Sequence, residues 1–248
     1  MKRIVCFGAN SDIAKALLRK LAELEPSEFF LFGRQIEELE RQKNDLVVLG
    51  AKEVQCYRFD AEMKSGQNIF QNRSIDECFS VFDNADYVVL AHGYLPSKVF
   101  NDLSEAERTF YVNCLSFIYI IEKTVELFKR QGFGKLISIT SVAADRGRKK
   151  LGYYAAAKAA VDSFLSAIRQ SVAEYPDISI ITVKPGFIVT KMTSHIRGPF
   201  PSTPEVVARD IVTALLKNKQ VVYTPWFWRY IMLAIKLVPE SLFRKMNF

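Results

Sequence analysis

The sequence predicts an α/β fold: a doubly wound parallel sheet with helices on both faces in a single domain, followed by an apolar C-terminal helical tail. Three observations predict it. Short β-branched or aromatic runs alternate with stretches of helical period. The strand-like runs are apolar nearly throughout, as strands covered on both faces must be. No Pro/Gly/Ser-rich linker divides the 248 residues, and a chain that is 49% hydrophobic can fill one large core.

The elements follow in order. IVCFG (4–8) reads as a strand, DIAKALLRKLAEL (12–24) as a helix, EFFLFG (28–33) as the second strand and 35–49 as a charged helix. Further strands fit EVQCYRF (53–59), YVVLAHG (87–93), KLISITS (135–141), ISIITVKPG (178–186) and 220–224, with helical patterns at 104–130, 154–174 and 204–217. Ligands of such a sheet bind at the carboxyl ends of its strands, so residues 1–224 carry the site and 225–248 form the tail.

Charge and cysteine usage narrow the classes. The formal charge of +7 suits an anionic lipid or a phosphorylated ligand; Lys and Arg are spread along the chain rather than gathered in a block, which argues against nucleic acid. Cys6, Cys56, Cys78 and Cys114 are scattered with no CxxC pair, the usage of reduced structural thiols, and no metal site is expected. MKRIVCFGANSD lacks the apolar core and cleavage site of a signal peptide, so a cytoplasmic protein is expected.

The first strand runs into Gly8-Ala9-Asn10-Ser11-Asp12-Ile13-Ala14, where a tight turn would offer helix N-terminal amides to a phosphate. Taken alone, one glycine between strand and helix is equally a plain turn. Asp12 and Ala14 stand where a dinucleotide fingerprint has glycines. Ala14 keeps the helix contact close, whereas the Asp12 carboxylate would repel a pyrophosphate unless it turns outward to cap the helix.

Tyr154 and Lys158 are four apart on a helix, hence on one face, and Ser141 ends the strand thirteen residues before Tyr154. An ammonium beside a phenol would lower its pKa toward the working range of a general acid/base. Aromatic and basic pairs also occur by chance on helices. Ser141, Asn113 in YVNCLS, and Pro185-Gly186 with Thr190 all come to the same sheet edge, and that favours a site.

In order and spacing these positions resemble the short-chain dehydrogenase/reductase family, from Gly8 to about Thr224, with a Rossmann-like domain implied. The match takes in Gly8, Asp60 after the third strand, Ala91-His92-Gly93, Asn113, Ser141, Tyr154, Lys158 and Pro185-Gly186 to Thr190. It departs at Asp12, at Ala14 and at His92, where the family has Asn; His92 by itself reads as a strand-end brace.

The resemblance implies that Tyr154 donates a proton to a carbonyl oxygen held by Ser141, while Asn113 holds a relay water. Lys158 would bind the nicotinamide ribose, Ile188 and Thr190 the carboxamide, and Asp60 with Ala61 the adenine. Gly8, Asn10, Ser11, Asp12, Ile13, Ala91, His92, Gly93, Pro185 and Gly186 would complete the cofactor site. It also implies a homo-oligomer, dimer or tetramer. The second strand ends in Gly33-Arg34, without the acid that holds the ribose hydroxyls in NAD enzymes. A guanidinium there suits a 2′-phosphate and favours NADP(H) over NAD(H).

The tail PWFWRYIMLAIKLVPESLFRKMNF is interrupted by Arg229 and Lys236, well short of the ~20 apolar residues of a spanning helix. It reads either as an amphipathic segment at the inner membrane surface or as a face packed on its own domain or on a partner subunit. With the SDIA loop, PGFIVTKMT and TPEVVARDIV, it resembles the branch that includes the decaprenylphospho-ribose 2-epimerase reductase subunit, which implies a keto-sugar on a polyprenyl phosphate. The alternatives are a soluble or fatty ketone, and a non-catalytic nucleotide-binding scaffold. The segment between Thr190 and Thr203, with His195 and Arg197, is expected to form a substrate lid.

Overall fold

The computed structural model describes residues 1–62, 73–194 and 198–246, so His195 and Arg197 of the expected lid lie outside the described residues. Among the described residues, seven parallel strands form one sheet: β1 (Lys2–Phe7), β2 (Ser27–Gly33), β3 (Glu53–Arg58), β4 (Tyr87–Leu90), β5 (Gly134–Ile139), β6 (Ile178–Pro185) and β7 (Val221–Thr224). Their order is β3-β2-β1-β4-β5-β6-β7, with Ile4 opposite Phe29 on one side and Tyr87 on the other. The helices are α1 (Asp12–Leu24), α2 (Ile36–Val48), α3 (Arg73–Phe79), α4 (Leu103–Phe110), α5 (Ser116–Gln131), α6 (Gly152–Ser171), α7 (Pro204–Leu216), α8 (Trp228–Leu237) and α9 (Glu240–Phe243).

Successive side chains of a strand point to opposite faces, so β1 sends Ile4 and Cys6 into one core and Val5 and Phe7 into another. The first core takes Leu17 and Leu18 of α1, Leu39 and Leu46 of α2, and Val207 and Ile211 of α7. The second takes Ile75 of α3, Phe117 and Phe128 of α5, and Leu165 of α6. Burial on both faces is why β2 is buried along its whole length. Its one carboxylate, Glu28, is met by Arg3 at 2.9 Å.

The helical period over 104–130 is one path but not one helix. It widens into a π turn at Tyr111–Leu115 between α4 and α5, an insertion that carries Asn113 to a fully buried position while Phe117 and Ile120 stay on the sheet. The expected strand 87–93 stops at Leu90, and Ala91 to Gly93 leave the sheet after Ala91 N–H bonds Phe7 O at 2.8 Å. The domain also extends past 224. Trp228, Met232 and Ile235, spaced four and three apart on one helical face, are buried with Val142. Arg146 holds this helix by its C-terminus, donating to the carbonyls of Ile235 (2.5 Å) and Val238 (2.6 Å) and lying 3.7 Å from the Phe243 ring centroid.

The two faces of α8 therefore differ sharply. Met232→Ala is expected to cost about 2–5 kcal/mol, whereas Leu233→Ala, at a residue 54% exposed, should stay within about 0.5 kcal/mol. Urea unfolding of both variants checks this; equal losses would place the helix differently.

Candidate active site

At the point where the strand order reverses, the carboxyl ends of β1 and β4 part and a cavity of about 580 Å³ opens. Gly8 makes the entry turn at φ +82°, and a Cβ there would collide with the backbone of Ala91 and His92. The α1 helix begins at Asp12, and its first amides receive no cap bond from the Ser11 side chain. Asn10 pairs both ways with the Gln35 backbone, at 3.1 Å each, and so pins the turn to the end of β2. Arg34 then sits on the cavity rim, 60% exposed and loosely paired with Glu62 at 3.3 Å.

Asp12 borders the cavity but does not cap the helix. Ser11 holds the N-cap position, and the Asp12 carboxylate accepts the Lys191 N–H at 2.8 Å. The Lys191 ammonium in turn reaches Glu38 of α2 at 2.7 Å, and Lys15 shares that carboxylate at 2.5 Å. Burial alone would push the Glu38 pKa up, but the two ammonium partners outweigh it and hold it below the ordinary value. Glu38 and Lys191 escaped the sequence reading. Their signal was positional: α2 starts directly after Arg34, so its first turn had to face the same crevice.

Ser11, Ile13, Asp60, Ala61, Ala91, His92, Gly93, Pro185, Gly186, Ile188 and Thr190 line the same cavity, as do Ser141, Tyr154 and Lys158. Asn113 does not. It lies behind the wall, its amide donating to Tyr94 O (2.7 Å) and Thr109 O (3.2 Å) and accepting from Tyr94 N–H (3.0 Å). With both N–H groups engaged by carbonyls, this side chain braces the loop after β4. His92 is half-buried, edge-on to Phe59 and 4.2 Å from the Phe117 centroid. Ser116 gives its hydroxyl proton to Val112 O, so His92 Nε2–H donates to Ser116 Oγ at 2.9 Å. Burial, with Lys158 nearby, holds its pKa at about 3, the state of a neutral brace.

Ser141 follows β5 and accepts the Ala143 N–H at 3.0 Å, which opens the turn Val142–Asp145. Lys158 is almost wholly buried on α6; its Nζ donates to Ile139 O at 3.2 Å and lies 4.2 Å from the Phe117 centroid and 6.0 Å from that of Tyr154. Burial drives its pKa down to about 7. The same burial drives the Tyr154 phenol up to about 12, against the pull of a hydrogen bond from Ser141. The expected lowering of the phenol by Lys158 is thus reversed, because the ammonium points to a carbonyl and desolvation outweighs a charge across the ring. Burial thus favours Tyr154 as the protonated phenol, beside an amine pushed toward its neutral form.

A parallel sheet whose switch-point cavity joins an amide-lined turn to a Ser hydroxyl, a phenol and a buried amine defines a class, the dinucleotide-fold oxidoreductases. Comparison with known proteins narrows it: the short chain dehydrogenase family matches residues 2–199, and the chain belongs to that family. It is 27% identical over 246 residues to an uncharacterized oxidoreductase of Mycobacterium tuberculosis, covering 98% of this chain and 96% of that one. A short-chain dehydrogenase from Sphingobium yanoikuyae in complex with NADPH superposes with a TM-score of 0.82 at 14% identity, over 100% of this chain and 97% of the other. An actinorhodin polyketide ketoreductase variant with NADPH gives 0.75 at 16%, over 92% and 97%.

The depressed Lys158 pKa sets a pH-dependent cost. The unfolded lysine keeps its proton up to about 10.5 and the folded one only to about 7, so stability falls as pH drops through that window and the full cost is present below it. Lys158→Met should therefore melt higher than the parent at pH 6, by the equivalent of a few kcal/mol, with the gap closing by pH 10. A gap that does not change with pH would show that Lys158 is not buried as an amine.

Proposed function

We propose that this chain is an NADPH-dependent carbonyl reductase. The observation that carries the reading is the convergence of Ser141, Tyr154 and Lys158 at one buried end of a cavity whose other end is the Gly8 turn. That cavity fits a dinucleotide. Gly8 lets the turn pack directly on the Ala91 and His92 backbone, the Asp12 carboxylate is engaged by the Lys191 N–H, and Arg34 stands on the rim at the end of β2. The turn amides and Arg34 would hold the phosphates, and Lys158 the nicotinamide ribose. Bound there, reduced nicotinamide supplies hydride to the carbonyl carbon.

The rest falls to the chain. Tyr154, protonated across neutral pH, gives its proton to the carbonyl oxygen as negative charge develops on it. Ser141 donates to that same oxygen. Lys158, whose pKa burial brings down to about 7, would return a proton to the phenol after transfer. Asn113 acts indirectly, by fixing the Tyr94 backbone beside the cavity.

For the substrate we favour a keto-sugar on a polyprenyl phosphate, acted on at the inner membrane face. The resemblance of the SDIA loop and the tail to that branch supports it; the Mycobacterium tuberculosis relative carries only the description uncharacterized oxidoreductase. A fatty ketone is the competing substrate.

Tyr154→Phe should lower ketone-dependent NADPH oxidation by at least about 100-fold with NADPH binding kept; unchanged turnover would overturn the mechanism. Arg34→Ala should weaken NADPH binding by about tenfold, the loss of one exposed charge-assisted contact, and leave NADH unaffected. Fluorescence titration with both nucleotides measures it, and equal losses would remove Arg34 as the discriminator.

A further inference from the structure

The inner face of α8 walls the site, since Trp228 packs on Gly186, where a Cβ would strike the indole. Its outer face is a stripe. Tyr230, Leu233 and Leu237 are 62%, 54% and 75% exposed and recur at spacings of three and four, which at ~100° per residue stacks them along one line; Trp226, 70% exposed in the turn before α8, extends it with its ring 6.0 Å from that of Tyr230. Phe200, also exposed, joins this end of the stripe with its ring 5.7 Å from that of Phe227. Single exposed hydrophobics are ordinary; an aligned row carrying Trp and Tyr is not.

The surroundings of the stripe are basic. Arg229 flanks it, and Arg244 and Lys245 follow it in the chain, beyond the C-terminal end where Arg146 grips the Ile235 and Val238 carbonyls. Among the described residues none of these three exposed cations has an ion pair, whereas Lys236 shares Asp145 with Lys184 and the one acid of the tail, Glu240, is held by Arg146.

We propose that this face docks the protein on an anionic bilayer surface, with the aromatic and leucine stripe in the headgroup layer and the basic fringe on lipid phosphates. The charge pattern selects this occupant. A second copy placed face to face on the stripe would bring like charges together, while an anionic surface neutralises all of them. Docking in the plane is also what the helix length allows, since no helix among the described residues is long and apolar enough to cross a membrane. The inference is independent of the catalytic reading.

Vesicle flotation with the full chain tests it. Binding is expected to vesicles of phosphatidylcholine with phosphatidylglycerol, at least about tenfold tighter than to phosphatidylcholine alone and weakened by added salt. Trp226→Ser with Leu233→Ser, both at exposed positions, should cut that binding about tenfold with the NADPH titration unchanged; Arg244→Glu with Lys245→Glu should abolish the lipid preference. Absence of binding to the anionic vesicles, or binding indifferent to both double variants, overturns the proposal. So does a lipid-free dimer in sedimentation equilibrium that the Trp226/Leu233 variant splits, for then a second copy covers the stripe.

Discussion

Lys184, buried on β6, lies 2.7 Å from Asp145 and 2.7 Å from Asp162, and Asp145 also takes the Tyr223 hydroxyl at 2.9 Å and Lys236 at 3.0 Å. Burial disfavours both charges, yet the partners outweigh it, raising the Lys184 pKa and lowering that of Asp145. This network joins β6, β7, α6 and α8 to the turn that opens with Ser141. Asp162 stands one helical turn beyond Lys158 on α6, so the ion pair that fixes Asp162 also fixes the rotation of the helix carrying Tyr154 and Lys158. Such a network adds little net stability against a packed apolar alternative, but loss of one member strands the others, typically at 3–5 kcal/mol. Its contribution is geometric: three reactive side chains from two elements keep one mutual arrangement.

That rigidity matters because the reactive groups are held under adverse conditions. Lys158 and Tyr154 are both driven toward their neutral forms by burial. A neutral phenol is the proton donor that carbonyl reduction needs, and an amine with a pKa near 7 exchanges protons readily at neutral pH. The site therefore runs on desolvation, and the fold bears the cost through packing elsewhere, in Phe117 under Lys158 and in the two cores.

The alternation of apolar runs and helical periods made the sheet and most helices legible, because each strand is buried on both faces and shows it in composition. Boundaries slipped where the chain responds to a contact and not to a period, as at Leu90, where β4 stops so that Ala91 to Gly93 can border the cavity. The π turn at Tyr111–Leu115 has no periodic signature, and α3 is too short to impose one. Among site residues, those marked by spacing were visible, including Ser141, Tyr154 and Lys158. The Asp12, Glu38 and Lys191 cluster was not, since Lys191 and Glu38 are 153 residues apart in sequence and meet only through the topology.

That cluster changes how the loop after β6 should be understood. Residues Gly186 to Thr193 form one wall of the cavity, and their shape is set internally by Thr190 and Thr193, whose hydroxyls lie 3.1 Å apart while the Thr193 hydroxyl donates to Ile188 O at 2.5 Å. Lys191 moors the loop to Asp12 at the start of α1 and to Glu38 at the start of α2. Both acids lie beside the turn that would receive phosphates. Lys15 and Lys191 share the Glu38 carboxylate there, so this wall and the starts of α1 and α2 are joined through one acid and two cations. An aspartate in place of the usual glycine thus has a structural use: it gives the wall a backbone anchor at the start of α1.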